Sequence, residues 1–478
     1  MGRTAREESL VDRISPGTTT VVLLSFEGPD PYALAGGLGT RVTELSLTLA
    51  EAGYRTHVLY IGDPHAPGRE TRCDGRLVLH RWCQWISAYH PGGVYQGEEG
   101  KLQDFNCSAP PFVVDEIALP AIAEGQLVLV LGEEWHTAEA MCRISDLLHA
   151  AGQRSRAVLL WNANNTMGFH RIDWPRLQFT TTITTVSRYM KHEMWNFGVN
   201  PLVIPNGIPR RLLQPVDDTT VGTLRRSLAK PTVLTKVARW DPDKRWMMAV
   251  DTVARLKAAG CEPVLVARGG MEAHEAEVLD HARGLGLHVH EVAVPEQSAA
   301  AYARAFHEAG EADVINVKSF MPLDYLRLLY AGSDAVLANS GREPFGLVGL
   351  EAMASGGVAF TGATGEDYVV HMENAIALET EDPEEAAWYV RFLREHEAAS
   401  ARIAAAGRQT AERFVWERAL AILISRAEYV AARQGAIEPR AEPLALAPDD
   451  LADELDKLPP AHDPSDELAA QLVGVRRP

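Results

Sequence analysis

Short apolar runs alternate with amphipathic helical patterns from about residue 19 onward. Residues 21–26 read as a buried strand, 38–52 as an amphipathic helix and 56–61 as the next strand. Strands that are apolar along their whole length are typical of parallel sheets, because helices cover both faces of such sheets. Further apolar runs predict the rest of this sheet, at 127–131, 157–161, 182–186 and 202–204.

A second series of apolar runs follows, again with helical patterns between them. The turn-forming segment Pro205-Asn-Gly-Ile-Pro209 ends the first series, and the polar stretch from there to about residue 229 predicts a linker. Two doubly wound sheets in tandem leave a crevice at their carboxyl edges, where open α/β folds bind ligands. We therefore predict an α/β fold of two Rossmann-like domains that face each other across a cleft. The strands of the second series are predicted at 232–237, 263–267, 289–292, 313–317 and 335–338.

The amino-acid composition changes near the end of the chain. Residues 415–433 form a long amphipathic helical pattern, and the sequence beyond residue 434 is rich in Pro, Ala, Asp and Glu. Low apolar content with high charge is typical of segments that do not pack into a core, so we expect a mobile acidic tail. The predicted divisions are an N-terminal domain with its linker, a second Rossmann-like domain, a C-terminal helix and the tail, at 1–228, 229–414, 415–437 and 438–478.

The balance of charges narrows the classes of partner. The 478 residues carry a formal net charge of -18, which argues against nucleic acid or an anionic bilayer as the main partner. Five cysteines without a C-x-x-C pair indicate reduced thiols. The sequence shows no apolar leader and no run of about 18 apolar residues, so we expect a cytoplasmic protein without a membrane span. The sequence leaves a homo-oligomer open.

The most informative stretch pairs two glutamates, Glu343 and Glu351. Pro344 and Gly346 predict the opening of a helix between them, because Pro at a first helical position has its φ already set. The unpaired N–H groups of a first helical turn bind anions, and phosphate is the natural candidate. At about 1.5 Å of rise per residue the glutamates would lie roughly 12 Å apart and could bind the two ends of a nucleotide diphosphate sugar. An isolated pair at this spacing is also typical of a solvated helix face.

Polar residues follow the predicted strand ends of the first sheet. Gly36 and Gly37 open the first helix, where glycine lets the backbone approach a ligand and leaves N–H groups free, although a plain turn explains them as well. His136 follows the run at 127–131. Asparagines suit sugar hydroxyls but also form turns, so both readings stay open for the residues after the run at 157–161. These candidates are Asn162, Asn164, Asn165 and His170.

Arg239 and Lys244 follow the first strand of the second sheet. Two fixed cations that face a diphosphate would stabilise the negative charge that grows as the bond between sugar and phosphate breaks. The intervening Asp241-Pro-Asp243 has the D-x-D spacing of some metal sites, yet its central Pro favours a turn, and we predict no metal. Arg268 ends the next strand and is expected to line the crevice near the nucleotide.

Taken in order, these segments resemble the motifs of retaining GT-B glycosyltransferases of the glycosyltransferase family 4 (group 1) type, which are related to glycogen and starch synthases. Two positions depart from the synthase pattern, since Leu34 stands where the synthases carry a Lys and Glu134 where Asp is usual. The matching segments are Gly36-Gly-Leu-Gly39, Glu134-Trp-His136, Ile204-Pro-Asn-Gly-Ile208, Arg239 with Lys244, and Glu343 with Glu351.

The resemblance implies a metal-independent and cofactor-independent retaining transfer of a hexose, with glucose preferred. The donor would be a UDP-, ADP- or GDP-hexose and the acceptor a soluble sugar or small molecule. The implied catalytic residues are His136, Arg239, Lys244 and Glu343. The implied donor contacts are Gly36, Gly37, Arg239, Lys244, Arg268, Glu343, Phe345, Gly346, Leu347, Val348 and Glu351, and the implied acceptor contacts are Asn162, Asn164, Asn165 and His170. The alternatives are α-glucan elongation of the glycogen or starch synthase kind and, in another class, an inactive sugar-nucleotide-binding partner or a GT-B epimerase.

Overall fold

The computed structural model describes residues 13–363 and 365–438. The first half contains the strands β1 (Thr19–Leu24), β2 (Arg55–Ile61), β3 (Arg69–Arg72), β4 (Leu77–Trp82), β5 (Leu127–Glu133), β6 (Ala157–Ala163), β7 (Thr182–Thr185) and β8 (Leu202–Val203). They form one sheet in the order β3-β4-β2-β1-β5-β6-β7-β8, and only the pairing of β3 with β4 is antiparallel. Every apolar run predicted in the first series is a strand, so this part of the prediction is confirmed.

The second half contains a parallel sheet of seven strands. These are β9 (Thr232–Val237), β10 (Pro263–Arg268), β11 (Val289–Val292), β12 (Val314–Val317), β13 (Ala335–Ala338), β14 (Ala359–Thr361) and β15 (Ile376–Ala377). Their order is β11-β12-β10-β9-β13-β14-β15. The prediction of two Rossmann-like domains is therefore confirmed, with four strands that the sequence did not reveal: the β3–β4 hairpin and the short strands β14 and β15. Short or polar strands lack the long apolar run that marks a buried strand.

Helices cover both sheets. They are α1 (Gly37–Glu51), α2 (Gln84–Ser87), α3 (Glu98–Phe112), α4 (Leu119–Ala123), α5 (Ala138–Ala150), α6 (Trp174–Thr180), α7 (Arg188–Trp195), α8 (Asp218–Ser227), α9 (Trp246–Ala258), α10 (His274–Gly284), α11 (Ala299–Glu308), α12 (Leu323–Gly332), α13 (Leu347–Ala354), α14 (Pro383–Glu395), α15 (Glu397–Ala411) and α16 (Trp416–Arg433). A π-helical segment at Val113–Ala118 joins α3 to α4. It follows Pro110 and Pro111, which lack the N–H groups that would continue the helical hydrogen bonds.

Part of the predicted linker is a helix. Asp217 caps α8 by accepting from the Thr220 N–H at 2.9 Å, and α8 packs against α11 and α12 of the second domain. Arg225 on α8 pairs with Asp334 at 2.9 Å, just before β13. The prediction of a linker up to residue 229 is therefore wrong for this helix. The apolar face of α8 is too sparse to stand out in the sequence, but it is wide enough to pack once neighbouring helices are present.

The chain crosses between the two halves twice, and the crossings lie side by side. The Ile208 N–H donates to the Phe414 carbonyl at 2.7 Å, and the Trp416 N–H donates to the Ile208 carbonyl at 3.2 Å. From there α16 runs back along α1 and buries Leu420 and Leu423 in the core of the first domain. The predicted acidic tail lies outside the described residues, apart from its first position. None of the helices in the described ranges is long and apolar enough to span a membrane.

Candidate active site

The turn after β9 and the loop after β13 are joined by hydrogen bonds. Asp241 accepts from the Asp243 N–H at 3.0 Å and caps a short 3₁₀ turn, so the D-x-D string forms a turn, as predicted. The Gly341 N–H then donates to the Asp243 carbonyl at 2.8 Å, and the Arg342 N–H donates to its carboxylate at 3.2 Å. These bonds bring the two motif-bearing loops together at the carboxyl edge of the second sheet.

Three of the predicted residues meet at this edge. Lys244 Nζ lies 3.5 Å from Glu343 Oε2. The segment from Arg239 to Lys244, with R-x4-K spacing, is therefore in direct contact with the segment from Glu343 to Glu351, which has E-x7-E spacing. Arg239 lies on the same turn, is exposed, and makes no side-chain hydrogen bond or ion pair within the described ranges. A guanidinium without a carboxylate partner is available to bind an anion.

The E-x7-E segment differs from the prediction in one respect. The helix α13 begins at Leu347, with Gly346 in the left-handed region at φ 82° as its N-cap, so Pro344 lies in the preceding loop and not at a first helical position. Only the part from Leu347 to Glu351 rises helically, and the estimate of roughly 12 Å between the glutamates does not apply. The Leu347 and Val348 N–H groups belong to the first turn and have no intrahelical acceptor.

The rest of the segment is held by buried aromatic rings. Phe345 is buried, with its ring centroid 5.8 Å from that of Tyr368 and 6.1 Å from that of Phe414. Tyr368 also donates its hydroxyl to the Gly346 carbonyl at 2.5 Å. The side chain of Phe345 therefore fixes the loop, and only its backbone could contact a donor. Burial, with a contribution from the charge of Glu343, raises the pKa of Glu351 to about 7.

Sequence reasoning missed Lys236, which lies beneath the site on β9. Its Nζ donates to Asn339 Oδ1 at 2.5 Å and to the Leu337 carbonyl at 3.2 Å, and it lies 5.2 Å from the ring centroid of Trp246. The pKa of Lys236 is lowered to about 7, chiefly by burial. The charge of Glu343 opposes this shift, and the charges of Lys244 and Arg245 add to it. A lysine inside an otherwise apolar strand was the signal that could have identified it.

Arg268 ends β10, as the sequence predicts. Its guanidinium carbon lies 5.3 Å from the ring centroid of Phe320, an exposed aromatic residue in the loop after β12. Burial lowers the pKa of Arg268, and its Nε has no hydrogen-bond partner within the described chain. The planar pair of guanidinium and ring is a surface on which a flat group could stack.

The glycine loop of the first domain is not free to bind an anion with all its N–H groups. Glu27 Oε2 accepts from the backbone N–H groups of Gly36 at 2.9 Å, Gly39 at 3.0 Å and Ala35 at 3.2 Å. The expectation that this loop offers open N–H groups is therefore wrong for Gly36, while Gly37 keeps its position at the start of α1. Glu27 was missed, although a carboxylate directly after a buried strand is an unusual feature of the sequence.

His136 lies in the turn after β5, at the carboxyl edge of the first sheet. Its ring stacks on Trp135 and Phe26, with centroids at 3.9 Å and 4.2 Å, and its Nε2 lies 2.8 Å from Glu98 Oε1. Burial lowers the pKa of His136 to about 4, although Glu98 opposes the shift. The imidazole is therefore neutral near pH 7 and is held in one orientation. Glu98 carries no motif in the sequence that could have revealed this contact.

Asn162 and Asn164 were predicted as acceptor contacts. Both side chains form hydrogen bonds with the carboxylate of a buried ion pair. Glu133 accepts from Arg41 Nε at 3.1 Å through each oxygen. The Asn162 and Asn164 side-chain amides each donate to Glu133 Oε2 at 2.9 Å, and Arg41 also donates to Asn206 at 2.6 Å. Their amide groups therefore donate to this buried carboxylate, and an acceptor contact of Asn162 or Asn164 stays a prediction.

The other two acceptor candidates, Asn165 and His170, differ in their surroundings. The Asn165 Oδ1 accepts from the Met167 N–H at 2.7 Å, which is the turn-forming alternative, and its own N–H donates to Glu134 Oε1 at 3.1 Å. His170 is exposed on the short turn Phe169–Arg171. Its acceptor role stays a prediction. Among the residues of the described ranges, no three His, Cys, Asp or Glu side chains converge as a metal site.

A contact joins the two halves of the chain. Arg188 at the start of α7 donates from its backbone N–H and its Nε to the Asp367 carboxylate, at 3.1 Å and 3.0 Å. Burial raises the pKa of Asp367, and the hydrogen bonds and charge of Arg188 oppose that rise. Since Arg188 follows β7 and Asp367 follows β14, the loops at the carboxyl edges of the two sheets are in contact.

Comparison with known proteins matches part of the chain to a family model. Residues 224–410 match the family model described as Glycosyl transferases group 1. A D-inositol 3-phosphate glycosyltransferase of Geodermatophilus obscurus is 24% identical over 437 residues, which cover 86% of this chain and 89% of the relative. A glycogen synthase of Bordetella petrii is 25% identical over 418 residues, covering 70% and 75%.

The fold is shared with solved structures. A sucrose-phosphate synthase from Thermosynechococcus elongatus superposes with a TM-score of 0.60 at 18% identity, over 87% of this chain and all of the other. The family match covers the second sheet, where Arg239, Lys244 and Glu343 meet, and the structural match extends over both sheets. Residues 224–410 therefore match the group 1 glycosyltransferase family, and the two sheets together have the GT-B fold.

Proposed function

We propose that the chain transfers a hexose, glucose in the first instance, from a nucleotide diphosphate sugar to a hydroxyl of a soluble sugar or small molecule. The transfer retains the configuration at the anomeric carbon and uses no metal ion. The donor lies against the second domain and the acceptor against the first. The observation that carries the proposal is the contact of Lys244 with Glu343 beside the unpartnered guanidinium of Arg239.

The charges of the second domain suit a diphosphate. Arg239 and Lys244 supply two cations on one turn, and the first-turn N–H groups of α13 add donors at the facing loop. Such groups stabilise the negative charge that develops on the departing phosphate oxygen, and they do so without reorganising during the reaction. Arg239 and Lys244 take the part that a metal ion has in other phosphate sites.

Glu343 and Glu351 are assigned to the two ends of the donor, the hexose hydroxyls and the ribose. A carboxylate accepts hydrogen bonds from hydroxyl groups, and Glu343 is held beside the diphosphate site by Lys244. Arg268 with Phe320 forms the planar surface near the nucleotide end. In these roles Glu343 binds the sugar and Glu351 binds the nucleoside, and the diphosphate lies between them.

The reaction is a substitution at the anomeric carbon. Its bond to the diphosphate oxygen breaks, a bond to the acceptor oxygen forms on the same face, and the acceptor proton passes to the departing phosphate oxygen. No carboxylate of the chain becomes covalently attached in this scheme, unlike the paired acids of retaining glycosidases. His136 is neutral and oriented at the acceptor side, where it can hydrogen-bond the acceptor next to the bond being formed.

Donor hydrolysis tests the proposal before any acceptor is known. We expect slow release of the nucleoside diphosphate from one of UDP-, ADP- or GDP-glucose, measured by mass spectrometry. The variants Lys244→Ala and Glu343→Gln should each lose about 10²-fold or more in this rate. Lys257→Ala is the matched control. Lys257 forms an ion pair with Asp313 at 2.6 Å and is not part of this turn. Unchanged turnover in both site variants would refute the proposal.

Retention is tested on the product. Once an acceptor is found, NMR of the new glycosidic bond should show the anomeric configuration of the donor. Extension of a glucan primer would instead identify α-glucan elongation, which the likeness to a glycogen synthase keeps as the second candidate. Nucleotide-sugar binding without any turnover would identify an inactive binding partner, and an altered free sugar without transfer would identify an epimerase.

A further inference from the structure

The carboxyl edge of the first sheet carries a group of side chains that the donor does not need. We call Glu27, Tyr95, Glu98, Glu134 and His136 the acidic pocket. The Tyr95 hydroxyl donates to Glu27 Oε1 at 2.5 Å, and His136 Nε2 lies 2.8 Å from Glu98. Burial raises the pKa of Tyr95, and the carboxyl groups of Glu27, Glu134 and Glu98 raise it further when they are ionised. These three carboxyl groups therefore lie within electrostatic reach of one hydroxyl.

Two atoms of the acidic pocket have no partner. Glu134 Oε2 and His136 Nδ1 are buried and form no hydrogen bond within the described chain. Glu134 is 2% exposed and His136 is 4% exposed. Buried polar atoms in proteins are almost always satisfied, so each exception needs an explanation. Since these two lie on either side of Trp135, at a strand end that borders the cleft, a bound ligand is the explanation that accounts for both.

The unpartnered atoms suit hydroxyl groups. Burial raises the pKa of Glu134 to about 8, so near pH 7 its carboxyl is protonated and offers a donor. The ring of His136 is neutral and gives its Nε2 hydrogen to Glu98, which leaves a lone pair on Nδ1. One atom therefore donates and the other accepts. A sugar hydroxyl can do both, whereas a phosphate oxygen only accepts once it is ionised.

The cations that border the acidic pocket are already paired. Lys101 Nζ donates to Tyr32 Oη at 2.7 Å and to the carbonyls of Gly93 and Val94. Arg171 forms two bonds with Glu99, at 2.7 Å and 2.9 Å. Neither is free to bind an anionic group without losing these partners.

The N–H groups of the glycine loop at this edge already bind the carboxylate of Glu27. Glu27 Oε2 accepts from these N–H groups, and Glu27 Oε1 accepts from Tyr95. A phosphorylated ligand would meet the carboxylates of Glu27 and Glu98 without a free cation to compensate. Like-charge contact of this kind is a common way in which proteins reject a competing ligand.

We propose that the acidic pocket binds the acceptor and selects an uncharged polyol, such as a free sugar, against the same molecule carrying a phosphate or carboxylate group. This inference rests on the proposed function, because it names the acceptor class of that same site. Glu134 and His136 hydrogen-bond acceptor hydroxyls, and Glu27 with Glu98 repels anionic groups.

Paired acceptors test the selection. Glucose, myo-inositol and glycerol are each compared with their monophosphate esters, both as acceptors in the presence of the donor and as ligands of the full chain saturated with the nucleoside diphosphate. We expect the uncharged member to bind at least about tenfold more tightly in every pair that binds. Equal or tighter binding of a phosphate ester would overturn the inference, and so would the absence of binding by every uncharged polyol. Failure of the proposed function is separate, because it would appear as absent donor hydrolysis and absent nucleotide binding.

Two variants separate selection from folding. Glu98→Gln removes one repelling charge and should reduce the discrimination against phosphate esters. Glu134→Met removes the hydrogen-bond donor at similar volume and should raise the KM for the uncharged acceptor about tenfold. Neither should change the affinity for the nucleoside diphosphate. Glu116→Gln is the control, since Glu116 is exposed on the segment Val113–Ala118 and is not part of the acidic pocket. Discrimination and KM that stay unchanged in both pocket variants would overturn the assignment of these residues.

Discussion

The ammonium group of Lys244 lies 3.5 Å from the carboxylate of Glu343, and this contact joins two motifs that are far apart in the sequence. Both side chains are mostly buried, with exposed fractions of 16% and 27%. Each therefore sets the charge that the other presents to a ligand. In the proposed site, Lys244 holds Glu343 beside the diphosphate position, and Glu343 holds Lys244 at the edge of the sheet.

This contact predicts that the effects of substitution are not additive. We expect the double variant Lys244→Ala with Glu343→Gln to lose much less donor turnover than the product of the two single losses. Residues in direct contact commonly show interaction energies of about 0.5–3 kcal/mol, because the first substitution already removes what the second would disturb. The measurement is a double-mutant cycle on the rate of donor hydrolysis. Independent effects would mean that the pair does not act as a unit.

Lys236 predicts proton uptake when the donor binds. Its pKa of about 7 lies below the usual 10.5 because of burial, and an arriving diphosphate should raise it. Binding at pH 7.5–8.5 should therefore take up a fraction of a proton, which calorimetry in two buffers of different ionisation enthalpy detects. Lys236→Met should abolish the uptake, whereas Lys257→Ala should keep it. Equal uptake in the wild type and Lys236→Met would contradict this assignment.

The same residue has a consequence for stability. Between pH 7 and 10.5 the unfolded chain binds a proton at this lysine that the folded chain does not, so the wild type should gain stability as the pH rises through this window. Lys236→Met should lack that part of the pH dependence. Urea denaturation at pH 7 and pH 9 measures the difference, and parallel curves for the two proteins would argue against a depressed pKa.

Glu351 predicts a pH-dependent contribution to nucleotide binding. Its pKa of about 7 means that the carboxyl is largely protonated at pH 6 and ionised at pH 8. A protonated carboxyl resembles an amide, so Glu351→Gln should bind the nucleoside diphosphate nearly as well as the wild type at pH 6. At pH 8 its affinity should be several-fold weaker, because a charged acceptor forms the stronger hydrogen bond with ribose. Glu397→Gln, exposed at the start of α15, is the control. A ratio of affinities that does not change with pH would exclude the ribose contact.

The pair of Arg41 and Glu133 predicts a strong effect on stability. Both side chains are buried, and Arg41→Ala would leave the Glu133 carboxylate without a charge partner in the core. We expect the free energy of unfolding of the first domain to fall by about 3–5 kcal/mol. Arg55→Ala removes the exposed pair with Glu124 at 3.5 Å and should cost at most about 1 kcal/mol. Chemical denaturation followed by tryptophan fluorescence measures both, and similar losses would contradict the difference in burial.

The sequence predicted the parts of the fold that depend on local pattern. The apolar runs located the central strands of both sheets, and the motifs located the strand ends that form the donor side. The polar edge strand β3 and the short strands β14 and β15 were not predicted, because none of them has an apolar run long enough to mark a buried strand. Helix α8 was not predicted from the sequence, because its packing partners, α11 and α12, follow far along the chain.

By itself, the sequence determined that two parallel α/β sheets with cationic and acidic motifs at their carboxyl edges would form. Only the tertiary structure decided which of those side chains are free. Gly36 lost its open N–H group to Glu27, and the Asn162 and Asn164 amides turned inward to Glu133, whereas Arg239 stayed without a partner. The physical reason is that a backbone pattern follows from neighbours in the sequence, while a hydrogen bond or ion pair depends on which distant groups the fold brings within 3 Å.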